Sequence, residues 1–215
     1  MRTLILGCLL TAAALAQTGK LGIFTNSGDV GDPTMKGSSD YDAAKGTYKV
    51  TGAGANIWAT ADQFQYVWRE MSGNVAVTAT LEFLGEGAMH RKAGIMLRKT
   101  MDTDSPYVDV MIHGTGMPAI QWRNNKCETT NGVDFPFDSP GKFKVKLVRT
   151  AAAIAVSIAK DGGEMKELGH TTIPLGSPIY VGLAVCSHTA SKSETVIFSD
   201  VSVESLPTPP PARKK

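Results

Sequence analysis

A set of side chains with binding chemistry falls at one phase of several neighbouring apolar runs. The runs 64–70 (FQYVWRE), 91–99 (RKAGIMLRK), 107–113 (YVDVMIH) and 118–123 (PAIQWR) alternate with a period of two. In a strand, that period sends successive side chains to opposite faces. One phase is apolar: Ala93, Ile95 and Leu97, then Val108, Val110 and Ile112, then Ile120 and Trp122. In 64–70 the core phase falls to Phe64, or to Val67 if the strand is bulged, while Tyr66, Trp68 and Glu70 share one phase. The collected second phase holds Tyr66, Trp68, Lys92, Arg98, Asp109, His113, Gln121 and Arg123. Aromatic rings cover the apolar side of a sugar, and cations and amides take its hydroxyls, so the set suits a carbohydrate on a concave sheet face. The same residues also fit a solvated face with ordinary cross-strand ion pairs, such as Arg98 with Asp109.

Catalytic chemistry has fewer supports. Glu70 and Asp109 could share the polar face, and a carboxylate pair is what glycoside cleavage needs. Retaining enzymes hold the two carboxyls ~5 Å apart and inverting ones ~6.5–9.5 Å apart. A glycoside-active enzyme using this pair is therefore the alternative to a non-catalytic binding module. The chain has no His-Glu-x-x-His, Cys-x-x-Cys or Gly-x-Ser-x-Gly. His90, His113, His170 and His188 lack zinc-ligand spacing. Gly52-Ala53-Gly54 follows a strand, but no helix follows to make a phosphate loop. No cofactor is expected, with calcium as the one open case. Asp29, Asp32 and Asp200 could supply oxygen ligands if the first and last strands lie side by side. Gly28-Asp29 and Gly31-Asp32-Pro33 are equally good turn sequences.

The elements that must position these residues are strands. Further alternating runs occupy 47–51, 75–84, 142–149, 153–160, 179–188 and 195–203. Turn signals separate the runs: Ser72-Gly73-Asn74, Asp102-Thr103-Asp104, Gly114-Thr115-Gly116, Asn131-Gly132, Pro140-Gly141 and Asp161-Gly162-Gly163. No stretch has a helical period with a cap. Many short strands at regular spacing predict an all-β domain of two packed antiparallel sheets over 17–205. The segment 204–215 (ESLPTPPPARKK) is too proline-rich to join them, and 206–215 reads as a solvated tail.

Residues 1–16 read as a secretory signal: Met1-Arg2, an apolar run, then Ala14-Leu15-Ala16 before Gln17. The run is too short for the ~20 residues of a membrane span. Ile5-Leu6-Gly7-Cys8 looks like a lipobox, but almost no apolar core precedes Cys8. Export permits a disulfide between Cys127 and Cys186. Their polar and apolar surroundings favour a buried Cys186 and an incidental Cys127 instead. Composition excludes a coiled coil, a collagen-like repeat and a wholly disordered chain: 42% of residues are hydrophobic and 20% charged. The net charge of +2 leaves no basic excess for nucleic acid, and Arg2, Arg213, Lys214 and Lys215 at the ends supply it.

Three ordered segments carry a family resemblance. They are 52–58 (GAGANIW) with 60–67 (TADQFQYV), then 92–98 (KAGIMLR), then 180–185 (YVGLAV) with Ser187-His188 and 198–203 (FSDVSV). In this order the chain resembles the bacterial concanavalin A-like lectin/glucanase jelly-roll domains. These occur as accessory modules of exported glycosidases, and alone or fused to TolB-type propellers. The resemblance implies a jelly-roll sandwich, export, and binding of a carbohydrate or cell-envelope ligand. A structural or protein-interaction module tethered by the Pro-rich tail is the third reading. Met165 stands where such domains often carry a Trp after the hairpin turn, and the Glu-x-Asp-x-x-Glu strand of the glucanases is absent. Mass spectrometry of the protein exported by its host should find Gln17, or a residue beside it, at the N-terminus. An intact chain in the cytosol would defeat the signal reading.

Overall fold

The computed structural model describes residues 20–136 and 139–208. The expected signal segment and residues 209–215 of the tail lie outside the described residues. The strands are β1 (Asn26–Val30), β2 (Ser38–Asp42), β3 (Thr47–Gly54), β4 (Ile57–Trp58), β5 (Ala61–Asp62), β6 (Phe64–Met71), β7 (Asn74–Leu84) and β8 (Lys92–Arg98). They continue with β9 (Tyr107–His113), β10 (Pro118–Arg123), β11 (Asn131–Asp134), β12 (Phe143–Thr150), β13 (Ala153–Lys160), β14 (Lys166–Thr172), β15 (Ile179–Cys186) and β16 (Thr189–Leu206). One sheet has the order β1-β6-β15-β8-β9-β10-β11, the other β14-β13-β12-β7-β16-β3-β2, and β4-β5 form a separate small hairpin. Every pairing is antiparallel. This is an all-β, two-sheet jelly-roll sandwich of the concanavalin A-like kind, with no helix among the described residues.

Alternation explains the packing. In β12, Phe143, Val145 and Leu147 are buried while Lys144, Lys146 and Val148 are not. Their apolar phase meets Ile95, Leu97, Val108, Val110 and Ile112 from the first sheet in the main core. Trp122 packs on its margin, as its phase requires. The β13–β14 turn places Asp161 and Gly162 at φ 50° and 78°, the left-handed pair that an Asp-Gly hairpin supplies.

Several sequence expectations are corrected. Asn131-Gly132 begins β11 rather than a turn, with Gly132 opposite Gln121. β2, β11 and β14 lie at sheet edges and bury none of their residues, so no apolar alternation marks them in the sequence. Glu204, Ser205 and Leu206 do join a sheet, opposite Ala76, Val75 and Asn74. Ladder donors are missing only from Pro207 onward. Phe64 and Val67 face opposite ways: Val67 enters the main core, and Phe64 a second cluster on the far side of the first sheet.

That second cluster exists because loops cover the outer face of the first sheet. It joins Phe64, Tyr66, Met96, Tyr107 and Met111 to Ile57 of the β4–β5 hairpin. A polar latch holds the hairpin there. Fully buried Asp62 receives two bonds from Arg123, Nη2 to Oδ1 at 2.8 Å and Nη1 to Oδ2 at 2.9 Å, with Arg98 Nη1 at 3.4 Å. Arg123 also donates to the carbonyls of Glu128, Ser105 and Ala59 at 3.0 Å each. Arg98 donates to the Thr100 and Asp102 carbonyls at 2.7 and 2.6 Å. The loops 55–63, 99–106 and 124–130 thus converge on two guanidiniums. Ala59 takes a left-handed φ of 51° at the hairpin tip, where its carbonyl also accepts the Thr130 amide at 2.8 Å.

Removing one partner of a buried ion pair strands the other, at a cost of about 3–5 kcal/mol. Asp62→Ala should lower stability by that order in chemical denaturation. A loss below ~1 kcal/mol would show that the hairpin is held by Ile57 packing instead.

Candidate functional site

Register fixes which polar side chains meet on the outer face. Adjacent strands β8, β9 and β10 set Arg98 opposite Tyr107 and Tyr107 opposite Arg123 in one row. The next row on that face sets Met96 opposite Asp109 and Asp109 opposite Gln121. Lys92 and His113 face each other in a further row toward the end of the strands. Tyr66 and Trp68 come from β6, across β15. All these residues share the outer face, yet that face is neither open nor solvated. Only Trp68 among them is as much as half-exposed.

The set divides by what each side chain is bonded to. Arg98 and Arg123 are saturated by the latch. Tyr66 donates its hydroxyl proton to the Met96 carbonyl at 2.8 Å, and its ring stacks on Trp68 at 5.5 Å and 13°. These groups are spent on the fold. Lys92, His113 and Gln121 instead line a cleft of about 240 Å³, together with Asn56, Trp58, His90, Asp134 and His188. Asp109 lies beside it, next to Gln121 in register. The structure therefore brings together Lys92, His113, Gln121 and neighbouring Asp109, and sets Tyr66, Trp68, Arg98 and Arg123 outside the cleft. Trp58, His90, His188 and Asn56 come from loops or a two-residue strand, where period two gives no facing. The signal for Trp58 was its place just before the turn that carries the hairpin.

Within the cleft, Lys92 Nζ donates to Asn56 Oδ1 and to the Ile57 carbonyl, both at 2.9 Å, and lies 5.3 Å from the Trp58 ring centre. Trp58 is 37% exposed, a large aromatic surface left open beside buried polar groups. Gly132 makes room for it: a Cβ there would stand 3.1 Å from the indole. His90 and His113 meet through their Nδ1 atoms at 3.4 Å, and the His188 ring lies 5.5 Å from that of His90.

Some buried polar atoms here have no partner. Neither Gln121 Oε1 nor His113 Nε2 makes a hydrogen bond in the protein, and Asp109 has only the Gln121 backbone amide bearing on its carboxyl. Each such group costs about 1–3 kcal/mol when left unsatisfied. Burial pushes the Asp109 carboxyl well above the usual carboxylate range, against the opposing pull of the Lys92 charge. Burial likewise lowers the Lys92 ammonium. His113 is held down to about 3, by burial first and then by the charges of Lys92, His90 and His188.

The alternative chemistries meet this geometry as follows. β6 and β9 are separated by β15 and β8, three strand spacings or about 14 Å. Glu70 and Asp109 thus stand too far apart for the carboxyl pair of a glycosidase. The expected Arg98–Asp109 pair does not form, because Arg98 turns to Asp62. The first and last strands are not neighbours: β1 pairs with β6, and β16 with β3 and β7. Asp29 accepts the Gly37 amide, Asp32 pairs with Lys36, and Asp200 accepts from Thr80, so the expected calcium arrangement is not assembled. Among the described residues, no group of three or more His, Cys, Asp or Glu is arranged to hold a metal ion. Cys127 and Cys186 are both unbridged, one exposed and one buried.

No family model matches the sequence, and no curated protein matches it. Solved structures do match. A protein of Saccharomyces cerevisiae described as functionally unknown aligns with TM-score 0.63 and 15% identity, over 79% of this chain and 92% of that one. The carbohydrate-binding module CBM66 of Bacillus subtilis aligns at 0.55 and 13%, over 85% and 98%. The lectin UEA-II, solved with galactose, aligns at 0.53 and 11%, over 83% and 96%. The chain also matches 35% of the length of a xylan β-1,4-xylosidase of Bacillus halodurans C-125, at 0.56 and 16%. At these identities the likeness shows the jelly-roll fold alone.

The His113 imidazole yields a pH prediction. Its folded-state value of about 3 lies below the unfolded value near 6.5, so the unfolded chain takes up the proton first. Stability is then full above about pH 6.5 and falls as pH drops toward 3. At about pH 4.5 the loss should be ~3 kcal/mol, and His113→Gln should flatten that slope in denaturant titrations. An unchanged slope would mean that His113 is not the buried neutral group described.

Proposed function

We propose that this chain is an exported, non-catalytic module that binds a carbohydrate, such as a cell-envelope glycan, in the Trp58 cleft. The observation that carries the reading is a polar row with an orphaned acceptor, Gln121 Oε1, on the cleft wall next to buried Asp109 and beside an exposed indole. Buried polar groups in native proteins nearly always find partners, so such a row calls for one from outside the chain. A pyranose offers what is missing: hydroxyl donors on its rim and an apolar side for the ring.

The fold supports the reading, since it is shared with a carbohydrate-binding module and with a galactose-bound lectin. The signal-like residues 1–16 support export to the periplasm or the exterior. The separation of Glu70 from Asp109 favours binding over cleavage. Among the described residues no helix is long and apolar enough to cross a membrane. Service as an accessory module to an exported glycosidase, or beside a TolB-type propeller, fits the same reading.

Affinity electrophoresis or a glycan array tests it. Trp58→Ala and Gln121→Ala should each weaken glycan retention at least tenfold. Trp58→Ala should cost the fold little, because so much of the ring is already in water. If both variants bind as the parent does, the cleft is not the site. If the parent retains no glycan, the protein-interaction reading replaces this one.

A further inference from the structure

The cleft is polarised along the strands. At one end stands Gln121, with buried Asp109 behind it and Asp134 in the row between the two ends. At the other, Lys92, His90, His113 and His188 converge from β8, β9 and the segments just outside β8 and β15. We infer that the imidazole end takes an anionic substituent, a carboxylate or a sulfate, carried by the sugar that the cleft binds. This rests on the carbohydrate reading of the same cleft.

The imidazole end holds the Lys92 ammonium and three imidazoles with no carboxylate among them. The charges that act on His113 are Lys92, His90 and His188, and all three repel a proton there. On His188 they are Lys92 and His90, with the same sign. The nearby carboxylates are engaged elsewhere. Glu194 pairs with Arg91 at 2.7 Å, both buried, and Asp62 is held between Arg98 and Arg123. Asp109 acts on Lys92 from beyond the far end of the cleft and Asp134 from the row between. Lys92 places two of its protons on Asn56 and Ile57, which leaves a third for a ligand. His113 Nε2 is buried and has no partner. An anion seated there would meet an ammonium proton and an imidazole N–H with little bulk water to weaken them.

Size limits the ligand. About 240 Å³ falls below the ~300–1,000 Å³ typical of drug-sized sites. It suits one sugar residue with its substituent.

The anion also links binding to protons. It opposes the lowering that burial and the neighbouring cations impose on His113 and His188, so proton uptake accompanies binding and affinity rises as pH falls toward 6, where a carboxylate or sulfate ester remains ionised.

Isothermal titration at pH 8 and pH 6 tests this with a glucuronate-terminated oligosaccharide, a 6-sulfated one, their unsubstituted glucose counterpart, and inorganic sulfate. At least one acidic glycan should bind about tenfold tighter than the neutral one at pH 6, and more weakly at pH 8. Which acidic glycan binds identifies the group. Lys92→Met should remove the preference, and so should His188→Gln, whose side chain is half-exposed and not needed for the core. If the neutral glycan binds as well as the acidic ones at both pH values, the anion inference fails while the carbohydrate reading stands. If neither a glycan nor sulfate binds, both fail. Binding of inorganic sulfate alone, abolished by His188→Gln, would keep the anion pocket and overturn the sugar reading.

Discussion

A fully buried carboxylate held between two guanidiniums fixes the outer face of the first sheet. Asp62 belongs to a hairpin with little apolar grip of its own, since only Ile57 of its strands enters the second cluster. Arg98 and Arg123 reach it from β8 and β10, strands separated by β9, and spend their remaining donors on carbonyls of the flanking loops. Such a pair adds little net stability, because desolvation offsets most of the attraction. Its effect is positional. It sets the hairpin at one place over the sheet, and that place puts Trp58 at the mouth of the cleft.

Two kinds of polar row therefore share one face. The Arg98–Tyr107–Arg123 row is closed: its donors meet acceptors within the chain, and it serves as a polar second core. The Asp109–Gln121 and Lys92–His113 rows are open, with buried atoms that find no partner. A network satisfied in one part and orphaned in the adjoining part differs from a uniformly packed interior, where nearly every buried polar atom is paired. The contrast separates the polar groups that the fold uses from those on which the proposed site rests.

Much of this arrangement was legible in the sequence. Period two placed Lys92, Arg98, Asp109, His113, Gln121 and Arg123 on one face and Ile95, Val110 and Trp122 on the other, because a one-residue slip would have inverted each strand. The division among them was not legible. Arg98 and Asp109 look like cross-strand partners until the loop carrying Asp62 is seen to lie over Arg98. Long-range loop placement leaves no period, so Trp58, His90 and His188 carried no facing of their own. The edge strands β2, β11 and β14 were obscured for a related reason. Exposed edges need no apolar phase, and Asn131-Gly132 has the composition of a turn while serving as a strand beside Gln121.

Asp109 separates a ligand site from a merely polar interior. Its carboxyl is buried and raised in pKa, with no side-chain partner and only the Gln121 backbone amide bearing on it, which makes it a liability to the fold at neutral pH. An asparagine in its place carries no charge and has an amide that could donate to Gln121. The decisive measurement is paired denaturation and glycan titration of Asp109→Asn at pH 7. The site described here requires a variant more stable than the parent, by about 1–2 kcal/mol, that binds glycan at least tenfold more weakly. A variant that is less stable, or that binds glycan as tightly as the parent, would contradict it.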